Sequence, residues 1–128
     1  MIGMKKMLFM LPLVFAIAAC GSSEKKQIKT VAYNYSIAMA NYKVADAEPY
    51  CTEETRNTTI NAAYVLMNMV DSAYVASDTP ATIEITDVRI ETDTVAWAKY
   101  HKVSPLTNYS DSLELRKRDG GWFVHTPM

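Results

Sequence analysis

The stretch that decides the fold reads Ser77-Asp78-Thr79-Pro80-Ala81-Thr82-Ile83-Glu84-Ile85. Before it, apolar residues recur at steps of three and four; after it, they recur at every second position. The first period belongs to a helix with one apolar stripe, the second to a strand with one buried face. Pro80, following three turn-prone residues, punctuates the change. Helices first and strands afterwards predict an α+β domain, with the helices gathered on one side of an antiparallel sheet.

Downstream, Thr82 to Glu91 carries Ile83 and Ile85 in one phase and Val88 and Ile90 in the other, so Thr86-Asp87 predicts a bulge. Glu91-Thr92-Asp93-Thr94 makes a tight turn into a second strand, Val95 to His101. A longer loop with Pro105 leads to a third strand, Ser110 to Arg118, where Leu113 and Leu115 share a face. Asp119-Gly120 is a strong hairpin signal because both residue types tolerate positive φ. The last strand runs from Gly121 to about Thr126. Four sequentially paired strands follow, with no internal repeat.

Upstream, Ile28, Val31, Ala32, Tyr35, Ala38, Met39, Tyr42 and Ala45 draw one helical stripe, and Pro49 predicts its end near Glu48. Thr52 before Glu53-Glu54 is an N-cap with acids in the first turn, where the helix dipole favours them. Ile60, Ala63, Tyr64, Met67, Val70 and Tyr74 continue a second stripe up to Ser77. The two helices form a hairpin with one apolar side.

The N-terminal end has a different character. Lys5-Lys6 precede an apolar run from Met7 to Ala19, a basic start and short apolar stretch that match a signal peptide. Thirteen residues fall short of the roughly 20 a bilayer span requires, and Pro12 interrupts them. Ile17-Ala18-Ala19-Cys20-Gly21 resembles the lipobox of bacterial lipoproteins, with Ile in place of the usual Leu. The resemblance implies cleavage before Cys20, lipidation of its thiol and acylation of the new amine, several chains together making a durable anchor. Expected boundaries are 1–19 for the signal peptide, 20–27 for the lipidated Cys20 and a flexible tether, and 28–128 for the folded domain. Gly21 rather than Asp after the cysteine points to the outer membrane of the cell envelope.

Processing at Cys20 leaves 11 basic side chains against 14 acidic ones, hence a net charge of −3. No basic stripe is present to neutralise phosphates, so nucleic-acid binding is disfavoured. With Cys20 lipidated, Cys51 is the only remaining thiol and reads as a small, partly buried filler, an intermolecular bridge being the alternative.

Two further segments carry a family resemblance. Cys51-Thr52-Glu53-Glu54-Thr55 opens the second helix, and Leu113-Glu114-Leu115-Arg116-Lys117-Arg118-Asp119-Gly120-Gly121-Trp122-Phe123-Val124 closes the sheet. Together they resemble small lipoproteins with an NTF2-like domain, the DUF4878 group. The resemblance spans about Lys26 to Thr126 and implies a helical hairpin on a curved four-stranded antiparallel sheet, an NTF2-like or cystatin-like cone. The extra helix that larger NTF2-like proteins place between strands is missing here, which puts a deep pocket in doubt.

Candidate site residues are few. Tyr35, Tyr42, Tyr64 and Tyr100 are candidates to line a pocket, each offering an apolar body and a hydroxyl; packing in the core is the plainer role. Val95, Trp97, Lys99 and His101 share one face of their strand, with Ala96, Ala98 and Tyr100 on the other. If the alanines lie under the helices, Trp97 and Val95 mark a partner surface; if Trp97 is core, no such surface follows. Catalysis in the NTF2-like superfamily would need a tuned carboxylate in an apolar cavity, and Asp46, Asp87 and His101 are the candidates. His101 and His125 lack metal-ligand spacing, and no cofactor motif is present. The sequence thus predicts a membrane-anchored, non-catalytic envelope module binding a partner protein or small ligand. The alternative is a small envelope enzyme, lyase- or isomerase-like, with the cone as its active site.

Overall fold

A computed structural model describes residues 22–128. The signal segment, Cys20 and Gly21 lie outside the described residues. Helix α1 covers residues 22–40, so the segment expected as a flexible tether is helical from residue 22. Glu24 near its start pairs with Lys117 of the sheet at 2.5 Å, and Ile28 is fully buried one turn later. Small and charged residues suggested a tether, but nothing among Ser22 to Gln27 breaks a helix, and an acid in that region suits the dipole.

The first helix ends earlier than Pro49 implies. Lys43 N–H donates to the Ala38 carbonyl and Tyr42 N–H to the Met39 carbonyl, with Tyr42 at φ 61°. This is a Schellman cap, whose left-handed position usually falls to glycine. Tyrosine occupies it while its hydroxyl donates to Asp78 Oδ2 at 2.7 Å and its ring meets Tyr74 edge-on. A short α2, Val44–Ala47, and a 3-10 turn, Glu48–Tyr50, carry the chain past Pro49.

Cys51 then bridges Val124 in parallel, with Thr52 N–H donating to the Val124 carbonyl at 2.9 Å. Thr52 caps α3, Glu53–Thr55, as its sequence predicts, accepting from Thr55 N–H. A wide turn, Arg56–Ile60, leads into α4, Asn61–Met69. The second helix is not continuous to Ser77: Val70 is extended at ψ 133°, and Asp71 caps a separate α5, Ser72–Ser77, by accepting from Ala73 N–H.

The sheet has the order β1-β2-β3-β4, all antiparallel: Thr82–Ile90, Val95–Val103, Asn108–Arg118 and Gly121–Val124. The register of β1 on β2 shifts between Ile85 and Asp87, where the change of apolar phase predicts it. Asp119 and Gly120, at φ 52° and 79°, form the β3–β4 turn. One sheet face carries Ile85, Ala96, Ala98, Leu113, Leu115, Trp122 and Val124 into a single core with Ile28, Ala32 and Tyr35 of α1 and with Ile60. The small alanines in the first half of β2 leave room for the helical layer. Cys51 is fully buried in this core, and burial pushes its thiol above the ordinary range.

Candidate functional site

Three places in the fold bring chemically distinctive side chains together. The first is a clasp where the helical layer meets the far end of β2. Asp78, almost wholly buried, accepts from Tyr42 at one carboxylate oxygen and from Ser104 Oγ at the other, at 2.7 and 2.6 Å. Its pKa is lowered by the Ser104 and Tyr42 hydroxyls, with Lys102 assisting against the cost of burial. In the sequence Asp78 stands among turn residues, and no local signal announces that the chain buries it against strands formed later. Both oxygens are engaged and the carboxylate is held ionised, which suits an anchoring acceptor. A general base needs a pKa near the working pH, and the lowered pKa of Asp78 moves it the other way.

Beside the clasp lies a cavity of about 120 Å³ between the second half of α1 and the sheet. Tyr35 and Tyr100 line it, with Ser36, Lys102 and Tyr109 as further polar neighbours. Tyr100 and Tyr109 meet edge-on at 6.3 Å, and burial followed by the neighbouring Tyr109 holds the Tyr100 phenol well above its usual range. Tyr35 is raised by burial against a stabilising contact with Thr126. The other two expected lining residues are elsewhere: Tyr42 caps α1, and Tyr64 stands on α4 donating to Glu48 at 2.8 Å.

The third place is surface. Ala96 and Ala98 face the helices, so Val95 and Trp97 occupy the opposite face of the sheet. Both are half-buried there. Trp97 lies between Arg89 and Glu114 on the neighbouring strands, and its indole N–H donates to Glu91 at 2.9 Å. The indole is thus already framed by charged side chains. A larger uncovered apolar surface is on α4 and α5, where Val65 and Leu66 are each 59% exposed, Met69 76% and Tyr74 48%. From residue 57 to residue 77 the only charged side chain is Asp71. Of the stripe that the spacing predicts here, Ile60, Ala63 and Met67 belong to or pack against the core, whereas Tyr64 and Tyr74 are exposed.

The remaining candidates are dispersed. Asp46 is exposed on α2, and Asp87 is exposed at the bulge. His101 shares a hydrogen bond with Ser110 at 2.8 Å on the outer sheet face. His125 follows β4 and bonds Thr52, itself joined to Thr55; burial, then Arg116, lowers its pKa. Among the described residues no group of three or more His, Cys, Asp or Glu is placed to hold a metal. No helix among them is long and apolar enough to cross a membrane.

No family model and no curated protein matches the sequence. Two solved structures resemble the fold. The "Putative NTF2-like transpeptidase" from Campylobacter jejuni aligns with a TM-score of 0.57 at 14% identity, over 76% of this chain and 95% of that one. A ketosteroid isomerase-like protein from Erwinia carotovora atroseptica aligns with a TM-score of 0.53 at 13% identity, over 79% and 90%. At these identities the likeness is one of architecture: this is an NTF2-like α+β fold.

Proposed function

We propose that the chain is a lipid-anchored, non-catalytic module of the cell envelope that binds a partner protein through its NTF2-like domain. The observation that carries the binding role is the outer face of α4 and α5, where Val65, Leu66, Met69 and Tyr74 stand uncovered on a nearly uncharged segment. Exposed large apolar side chains gathered on one short segment, as here, are a mark of an interaction site. Its absence of charge calls for a partner with an equally apolar groove or helix face. Trp97 and Val95 are the secondary candidates, because the charged frame already shields much of the indole.

The non-catalytic reading is supported by the state of Asp78, whose oxygens are both engaged, and by the exposed positions of Asp46 and Asp87. Anchoring rests on the Ile17-Ala18-Ala19-Cys20 motif, and outer-membrane sorting on Gly21. The resemblance to the DUF4878 lipoproteins stands on the closing strand and the Cys51–Thr55 segment.

A photo-crosslinking residue at position 66 or 69 of the full chain, activated in intact envelopes, tests the binding face. The expected result is one discrete heteromeric adduct at those positions, reduced at position 97 and missing at the exposed outer-sheet position 84. Equal labelling at all positions, or none at 66 and 69, overturns the assignment. Loss of membrane fractionation in Cys20→Ala is the expected outcome for the anchor; unchanged partition overturns it.

A further inference from the structure

We infer that the cavity between α1 and the sheet is a binding site for a short-chain monocarboxylate, independent of the α4–α5 face. Two buried polar groups point to an anionic ligand. Ser36 is 6% exposed, lines the cavity, and its hydroxyl has no hydrogen-bond partner among the described residues. Lys102, 8% exposed, lines the same cavity with its ammonium 3.9 Å from the nearest Asp78 oxygen, beyond hydrogen-bond distance. Those Asp78 oxygens are already engaged by Tyr42 and Ser104. The ammonium also rests over the Tyr109 ring, 5.6 Å from its centre. A cation with three donors and an unpartnered hydroxyl, in one partly open cavity, match the lone pairs of a carboxylate.

The rest of the wall sets the ligand's tail. Met39, Ala40, Ile83 and Leu113 are apolar, so a bare inorganic anion would leave much of the lining without a partner. The volume of about 120 Å³ equals the liquid share of roughly four waters. That accommodates a carboxylate with two or three further carbons and leaves a long acyl chain mostly outside the cavity. Asp78 beside Lys102 offsets part of the positive charge, which disfavours dianions such as phosphate.

Titrating the purified full chain with sodium butyrate at constant ionic strength, followed by NMR, tests the site. Saturable binding with Kd on the order of 1 mM is expected for a ligand of this size, with shifts confined to the Tyr100, Tyr109 and Ser36 environment. Lys102→Met should weaken it at least about tenfold, one charge-assisted contact's worth. Ala40→Leu, which fills the cavity, should abolish it while leaving the fold's NMR pattern intact. Ser36→Ala is the milder variant should Lys102→Met fail to fold, and it should weaken butyrate without affecting chloride. Non-saturable shifts, unaltered affinity in the folded variants, or equal binding of butyrate, octanoate and phosphate would each overturn the assignment.

Discussion

Helix α1 and the α4–α5 segment carry the same spacing of apolar residues, yet they meet opposite surroundings. On α1, Ile28, Ala32 and Tyr35 are buried against the sheet along successive turns. On α4 and α5 no residue is fully buried, and the largest apolar side chains point outward. Period 3.6 shows that a helix has an apolar face; what covers that face is decided by strands that arrive later in the chain. Helix α1 finds Ala96 and Ala98 opposite it. The α4–α5 segment turns only Ala63 and Met67 to the core, and its outer stripe is left for something else.

The largest expected effect breaks the packed side of this contrast. Ile28→Ala removes a fully buried side chain from the core, and substitutions of this kind cost about 2–5 kcal/mol through lost transfer energy and the residual cavity. Denaturant unfolding of the full chain should show a lowered midpoint with an unchanged slope. A loss below about 0.5 kcal/mol would mean that α1 is not docked as described.

An intermediate effect is expected at the clasp that joins the two helical regions. Tyr42→Phe keeps the ring against Tyr74 but removes the hydroxyl that Asp78 accepts from. A fall in Tm of roughly a few degrees is expected. The pH profile sharpens it. The pKa of Asp78 is lowered in the fold, so its contribution is present above the unfolded value of 3.8 and lost as pH falls from there through the folded pKa. The pKa of His125 is also lowered, so its share is already lost between pH 6.5 and its folded pKa. Thermal melts of Tyr42→Phe should show a flatter limb below about pH 4 with the limb beginning at pH 6.5 unchanged. A parallel offset at every pH would detach Tyr42 from the Asp78 titration.

The clasp also marks where sequence stops being legible. The α+β order, the β1 bulge, the Thr52 cap and the Asp119-Gly120 turn are all local signals, and each falls where its residues place it. The end of α1 does not, because Tyr42 fills the position where glycine would have announced a stop, and its support comes from Asp78, 36 residues away. The break at Val70 is missed for a related reason: Asp71 is a cap signal, but an unbroken apolar period runs across it. Of the four candidate lining tyrosines, Tyr35 and Tyr100 reach the cavity. Ser36 and Lys102, its most informative neighbours, give no local sign of burial because a serine on a helix and a lysine on a strand are ordinarily solvated.

The smallest expected effect tests the unpacked side most sharply. Leu66→Ala deletes as many carbon atoms as Ile28→Ala and also sits on a helix, but its side chain is largely exposed. With little transfer energy to lose and no cavity to leave, the change in stability should stay within about 0.5 kcal/mol, and alanine is if anything the better helix former. Leu66→Glu should be nearly as neutral for the isolated chain, since water already reaches the position, while removing the crosslinked adduct expected from this face. If instead Leu66→Ala alone cost about 2 kcal/mol or more, its side chain would be buried in solution. The outer stripe would then already be covered within the protein's own assembled state, and a separate partner would have no surface left to occupy.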